Sequence, residues 1–236
     1  MHEDAVNVLR SIGSARKPAV SFTIDVATLP HATLTYSNAG EDVALRKWFK
    51  RRILAQEKGT YVDIGCAAPL STSNTYAFYC LGWRGLCVDP NPVAPPHWQH
   101  SRPEDIFVSA AIAEEEGEAT LYLHRDNAGM HAISNKPPSS DFDPTPHPVP
   151  TKRLDTLLEQ HLAGKTIQIM SIDVEGAEMG VLRSNNWAKW RPETILIECQ
   201  GLDLAAPQAS APVAYLLERG YRFEAKISGN ALLTAQ

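Results

Sequence analysis

The chain has 236 residues, with 22 Lys and Arg against 27 Asp and Glu, giving a formal net charge of −5. That length suits one full α/β domain and is short for two, and the acidic balance argues against a broad surface for nucleic acid or anionic lipid. Hydrophobic residues make up 44%, as in ordinary globular proteins, yet no run approaches the roughly 18–20 apolar residues that a membrane helix needs.

Residues 1–35 carry weak periodicity and several turn signals, and read as an N-terminal extension to a domain over 36–236. Met1-His2-Glu3-Asp4 is acidic where a signal peptide is basic, which points to the cytoplasm. Cys66, Cys80, Cys87 and Cys199 agree, since they form neither a Cys-x-x-Cys pair nor a disulfide-scaffold spacing. Gly40 to Arg52 reads as a helix with Val43, Leu45, Trp48 and Phe49 on one side. Its Arg46, Lys47, Lys50, Arg51 and Arg52 read as the solvated face.

From there the pattern is regular. Tyr61 to Ile64 is a short buried strand ending at Gly65, and Ser73 to Leu81 is a helix stopped near Gly82. Gly85 to Asp89 is a second strand, ended by Pro90 and Pro92. Ile106 to Ile112 is a third, and Ala119 to His124 an additional one. Asp126 to Pro150 reads as one irregular functional loop, because its six prolines between Pro137 and Pro150 exclude regular helix and internal sheet. Arg153 to Ala163 is helical, Ile167 to Asp173 is the most apolar strand, and a helix follows from about Ala177. Thr194 to Cys199 is a strand and Val213 to Arg219 a helix. Two strands, Tyr221 to Lys226 and Ala231 to Thr234, are joined by a turn too short for anything but an antiparallel pair.

Strands alternating with helices imply right-handed crossovers and a mostly parallel sheet covered on both faces. With the antiparallel C-terminal hairpin, this predicts an α/β, Rossmann-like fold of the class I methyltransferase variant. Its sheet is expected to be seven-stranded and mostly parallel.

In such a sheet ligands bind beyond the carboxyl ends of the strands. The first strand ends in Asp63-Ile64-Gly65, where Gly65 permits a tight turn and Asp63 either accepts from an ammonium or anchors the loop. The second ends at Asp89, placed to take both hydroxyls of a ribose at close to the roughly 20-residue spacing of the dinucleotide fingerprint. Gly65-Cys66-Ala67-Ala68-Pro69 lacks the further glycines that a pyrophosphate needs, which disfavours NAD or FAD and fits a nucleoside without phosphate, such as S-adenosylmethionine. Alternatively, Asp63 and Asp89 cap turns. The fourth main strand ends in Ser171-Ile172-Asp173-Val174-Glu175-Gly176-Ala177-Glu178. Acids stabilise a helix N-terminus by about 0.3–1 kcal/mol each, which accounts for Glu178 better than for Asp173 at the end of an apolar strand.

These segments resemble the FkbM-type methyltransferases, especially a branch that modifies bacterial polysaccharides and small molecules. Tyr36 to Asp42 is similar to the family's entry motif. Asp63 to Pro69 with Ser73 to Tyr76 resembles its cofactor loop, and Gly82 to Gly85 leading into Asp89-Pro90-Asn91-Pro92 its second strand. Ser171 to Glu178, continuing through Trp187 and Arg191-Pro192 to Glu198, resembles its fourth and fifth strands. Asn38 stands where the branch often has Gln, and Ala67 and Ala68 where it has histidines, so any contact made by those histidines is absent.

The resemblance implies S-adenosylmethionine as methyl donor, held by Glu41, Asp63, Gly65, Cys66, Asn74, Thr75, Asp89, Pro90, Ala111 and Asp173. It implies a hydroxyl acceptor on a sugar or other small molecule, with no nucleic acid and no membrane insertion. Asp173 is the first candidate general base, then Glu175, then His131. A divalent metal held by Asp173, Glu175 and Glu198 is a lesser alternative, and no metal site is assigned. A non-catalytic nucleotide-binding or scaffolding domain is the alternative function. The acceptor's identity and the oligomeric state are not legible.

Overall fold

Alternation along the buried strands decides which helices lie on which side of the sheet. The computed structural model describes residues 33–236, so the extension read over 1–35 falls almost wholly outside the described residues. The strands are β1 (Thr60–Ile64), β2 (Arg84–Val88), β3 (Ile106–Val108), β4 (Ala111–Ile112), β5 (Gly117–Tyr122), β6 (Ala132–Ile133), β7 (His147–Lys152), β8 (Ile169–Ile172), β9 (Thr194–Glu198), β10 (Tyr221–Ile227) and β11 (Asn230–Ala235). The helices are α1 (Glu41–Trp48), α2 (Lys50–Leu54), α3 (Tyr76–Cys80), α4 (Pro95–Ser101), α5 (Leu154–Leu162), α6 (Glu178–Arg183) and α7 (Ala211–Leu217).

The main sheet has seven strands in the order β10-β11-β9-β8-β1-β2-β3. It is a mixed sheet, mostly parallel with an antiparallel C-terminal hairpin as the sequence predicts, and not purely parallel. Strands β3, β2, β1, β8 and β9 pair in parallel, while β11 runs antiparallel to both β9 and β10. The chain passes to the edge strand first and the hairpin returns inward, so the more apolar β11 gains the buried place.

Val62, Ile64, Met170, Ile172, Ile195 and Ile197 pack with Leu154, Leu158, Val181 and Leu216 of α5, α6 and α7. The alternate residues Tyr61, Ile169 and Leu196 pack with Leu45, Phe78 and Trp98 of α1, α3 and α4. Both faces are thus covered, and each fully buried aliphatic side chain contributes roughly 1.5–3 kcal/mol. Trp48 departs from its predicted place. It is 47% exposed, because the buried side of α1 is set by Leu45 and the following Phe49.

The third predicted strand is divided. Ile106–Val108 joins the main sheet, but Ala111–Ile112 turns away into a second sheet of order β4-β7-β5-β6. This sheet corrects the reading of 126–150 as wholly irregular. Pro148 and Pro150 lie within β7, opposite Thr120 and Glu118 of β5. Alternation aims the nitrogens of His147, Val149 and Thr151 at β5. The two proline nitrogens face the other side, where β4 covers only Thr151 and Lys152. The prolines therefore cost the sheet no donor. Helix α4 is a further addition, and Pro95 at its start is a favourable first helical residue rather than a loop signal.

Candidate functional site

The carboxyl ends of β1, β2 and β8 meet the start of β4 around a cleft enclosing about 580 Å³, part of it open to solvent. Ile64, Val88, Ile112 and Val174 give it apolar walls, and Ala67, Ala110 and Ala111 leave room beside the backbone. Its carboxylates are Asp89, Asp173 and Glu175, and neither Lys nor Arg is among its lining residues. Leu121, Gly129, His131 and Ile133, from the β5–β6 hairpin, close one side.

The loop after β1 is tied down from below. Asp63 is buried, and its Oδ2 accepts from Thr75 Oγ1 at 2.5 Å. Burial pushes the Asp63 carboxyl up to about 6, against the opposing effects of the Thr75 bond and Arg102. Thr75 Oγ1 accepts from Arg102 at 3.0 Å, and the same guanidinium donates to Tyr61 Oη at 2.9 Å and to Ser73 Oγ and the Pro69 carbonyl at 3.3 Å each. Asp105 completes the cluster, 2.7 Å from Arg102 Nε, with both side chains fully buried. Asn74 donates to Ser171 Oγ at 3.1 Å and joins the loop to β8.

Asp89 closes the loop from above. Its Oδ2 accepts from the Ala67 N–H at 2.8 Å and its Oδ1 from the Asn91 N–H at 2.9 Å. Burial raises its pKa and these two bonds oppose the rise. Each oxygen keeps a further lone pair for a ligand in the cleft.

Asp173 ends β8 among other acids. Burial, then the charges of Glu198 and Glu175, push its carboxyl up to about 8. Glu175 is also raised, by burial and by Glu198 and Glu178. It occupies a left-handed turn at φ +52°, followed by Gly176 at φ +100°. Glu178 serves the helix start, its Oε1 accepting from Gly176 N–H at 3.0 Å and Val174 N–H at 3.4 Å. A second groove of about 1010 Å³ lies beyond, between Glu175, Glu198, Gln200, Asp203 and Ser210. Asp173 lines the first cleft, Glu198 the second, and Glu175 both.

Residues 59–223 match the family model described as the methyltransferase FkbM domain. The chain belongs to the FkbM methyltransferase family. Among curated proteins none gives a significant match.

In this FkbM-family chain, Gly65, Asp89, Pro90, Ala111, Asp173, Glu175 and His131 are brought together on one cleft. Asp63, Asn74 and Thr75 lie beneath its loop and hold it through side-chain bonds. Glu41 is buried between the Ala39 N–H, 2.8 Å from its Oε2, and Asn230 Nδ2, 3.2 Å from its Oε1, and so ties the entry segment to the C-terminal hairpin. Cys66 is buried, which pushes its thiol well up. His131 is half-buried; its Nδ1 accepts from the His124 N–H at 3.0 Å, so the lone pair a base would use is engaged. Among the described residues no group of three or more His, Cys, Asp or Glu is arranged to hold a metal. No described helix is long and apolar enough to cross a membrane.

The sequence reading missed Arg102, Asp105 and Asn91. The Arg102–Asp105 spacing of three, just after a Trp-containing helix, was the available signal.

Proposed function

We propose that this methyltransferase uses S-adenosylmethionine and methylates a hydroxyl oxygen on a sugar or other small molecule. The observation that carries the reading is the pairing of Asp89 and Asp173 on one cleft whose lining lacks Lys and Arg. A phosphate-bearing cofactor calls for cations or glycine-rich backbone, and this loop offers neither. The apolar walls suit an adenine ring, the free lone pairs of Asp89 suit two ribose hydroxyls, and the acids suit a sulfonium. Gly65, Asp89, Pro90, Ala111 and Asp173 would hold the donor. When bound, it supplies a methyl group already activated for displacement.

The protein's own residues then do two things. The cleft and its hairpin wall fix the reacting geometry and shed water, and positioning of this kind can lower a barrier by up to roughly 7–11 kcal/mol. Asp173, held up by burial and by the neighbouring Glu198 and Glu175, supplies a base poised near neutrality, and its unprotonated form accepts the proton of the acceptor hydroxyl. The groove on the Glu198 side is the natural entry for that acceptor, since it meets the donor cleft at Glu175.

Incubation with methyl-labelled S-adenosylmethionine and a panel of sugars and hydroxylated small molecules, with amines and thiols alongside, tests both halves. Label on a hydroxyl supports the reading. Tight binding of NAD with none of S-adenosylmethionine or S-adenosylhomocysteine overturns it.

A further inference from the structure

The hairpin that closes the cleft is fastened to the cleft floor through one contact between two side chains. His131 sits just before β6 and faces the cleft. Its Nδ1 accepts from the His124 N–H at 3.0 Å, and its Nε2 lies 3.1 Å from Asn91 Nδ2. Asn91 is 5% exposed, with its own N–H on Asp89 Oδ1 and its Oδ1 accepting from the Val93 N–H at 3.1 Å. Asp89 in turn holds Ala67. A continuous chain of polar contacts therefore runs from the hairpin to the carboxylate and on to the loop after β1.

Donors and acceptors along this chain are unequal. A neutral imidazole has one lone pair and one N–H. Here both ring nitrogens face donors, so one contact goes unmet. Turning the Asn91 amide over gives His131 an acceptor but takes one from Val93. The joint is one acceptor short in either arrangement, which makes it a contact that forms and opens readily.

We infer that Asn91 is a positioning residue, a latch that holds the β5–β6 hairpin over the cleft through His131 and releases it to admit and discharge the donor. The inference rests on the S-adenosylmethionine reading for the identity of what is enclosed. The latch itself rests only on the contacts. Burial, with His124 and His147 beside it, lowers the His131 pKa, which keeps the ring neutral and the Nδ1 acceptor available.

The test compares Asn91→Leu and Asn91→Asp with the wild-type chain. Amide exchange at His124 is followed by NMR without ligand, and the Kd for S-adenosylhomocysteine is measured separately. Asn91→Leu is expected to speed exchange at His124 about tenfold and to weaken S-adenosylhomocysteine about five- to tenfold, the size of one lost hydrogen bond. Asn91→Asp offers oxygens to both His131 Nε2–H and Val93 N–H, so it is expected to restore protection to the wild-type level or above. Should Asn91→Leu fail to fold, Asn91→Ala removes the same contact while leaving the His124 acceptor on His131 in place, and must give the same two changes. Wild-type exchange at His124 in the leucine variant, or in the alanine variant where that one stands in for it, overturns the latch. If the wild-type chain binds no S-adenosylhomocysteine while Asn91→Leu still loses hairpin protection, the cofactor reading fails and the latch stands.

Discussion

Gly65 and Asp173 touch backbone to backbone: a Cβ at residue 65 would lie 1.7 Å from the Asp173 carbonyl oxygen. Gly65 also holds φ at +76°, a conformation costly to L side chains. The end of β1 is thereby pressed against the end of β8, which places the loop after β1 and the acidic turn after β8 on a common cleft. Gly65→Ala is expected to cost at least about 1–3 kcal/mol from the backbone conformation alone. Each kcal/mol lowers Tm by about 2–4 °C in a domain of this size. S-adenosylhomocysteine binding should be lost with it. A variant that melts with the wild-type chain and binds normally would show that β1 and β8 part without consequence.

Asp89 has two duties in this structure, and they can be separated. Asp89→Ala removes the acceptor for Ala67 and Asn91 as well as any bond to a ribose. It should weaken S-adenosylhomocysteine by at least about tenfold and lower Tm, since two buried N–H groups lose partners. Asp89→Asn keeps one acceptor oxygen and should recover part of the stability but less of the affinity. Equal affinity for all three proteins, by calorimetry, would confine Asp89 to capping the loop.

The strand ends were legible because they follow from period and position. Buried runs at 61–64, 85–89 and 194–199 could only be strands, and polar residues closing them had to face the ligand side. What was not legible depended on pairing across long separations. Nothing local in Ile106 to Ile112 shows that the chain leaves one sheet for another at Ser109-Ala110. Proline spacing in 148–150 reads as loop until it is known that β7 presents its proline nitrogens to an almost open side. The roles of Asp63 and Thr75 were half legible. Their closeness to the site was clear from the motif, but only Arg102, just past the end of α4, reveals that they face away from the cleft and hold its loop.

Arg102 carries the next prediction. Its guanidinium and the Asp105 carboxylate are both shielded from water, and three parts of the loop hang on the same group. Removing one member of a buried pair strands the other charge, at a cost of about 3–5 kcal/mol. Arg102→Met is expected to show that loss in urea unfolding, and Arg102→Met with Asp105→Asn to recover part of it. If the double variant is no more stable than the single one, the stranded charge is not the cause, and the lost bonds to Pro69, Ser73 and Thr75 are.

The last prediction concerns pH and the Asp173–Glu198 pair. The Asp173 carboxyl stands at about 8 in the folded chain, raised first by burial and then by Glu198 and Glu175, against an ordinary value of 3.8. The folded protein therefore binds this proton more tightly than the unfolded chain. The resulting stabilisation is fully present below the ordinary value and is lost as pH rises through about 8. Asp63, raised to about 6, adds a loss of the same sign at lower pH. Thermal melts should thus show stability from these groups declining between about pH 4 and 8, and Asp173→Asn should flatten the upper part of that decline. Catalysis runs the opposite way. A base must be free of its proton, so kcat/KM should rise towards pH 8, and Asp173→Asn should remove that limb and lower kcat by about 10²- to 10⁴-fold. Glu198→Gln separates the two partners. It removes the charge that raises Asp173, so the limb should move to lower pH rather than vanish. A limb left in place by Glu198→Gln would assign the shift to burial and Glu175, and a limb left in place by Asp173→Asn would take the base away from Asp173.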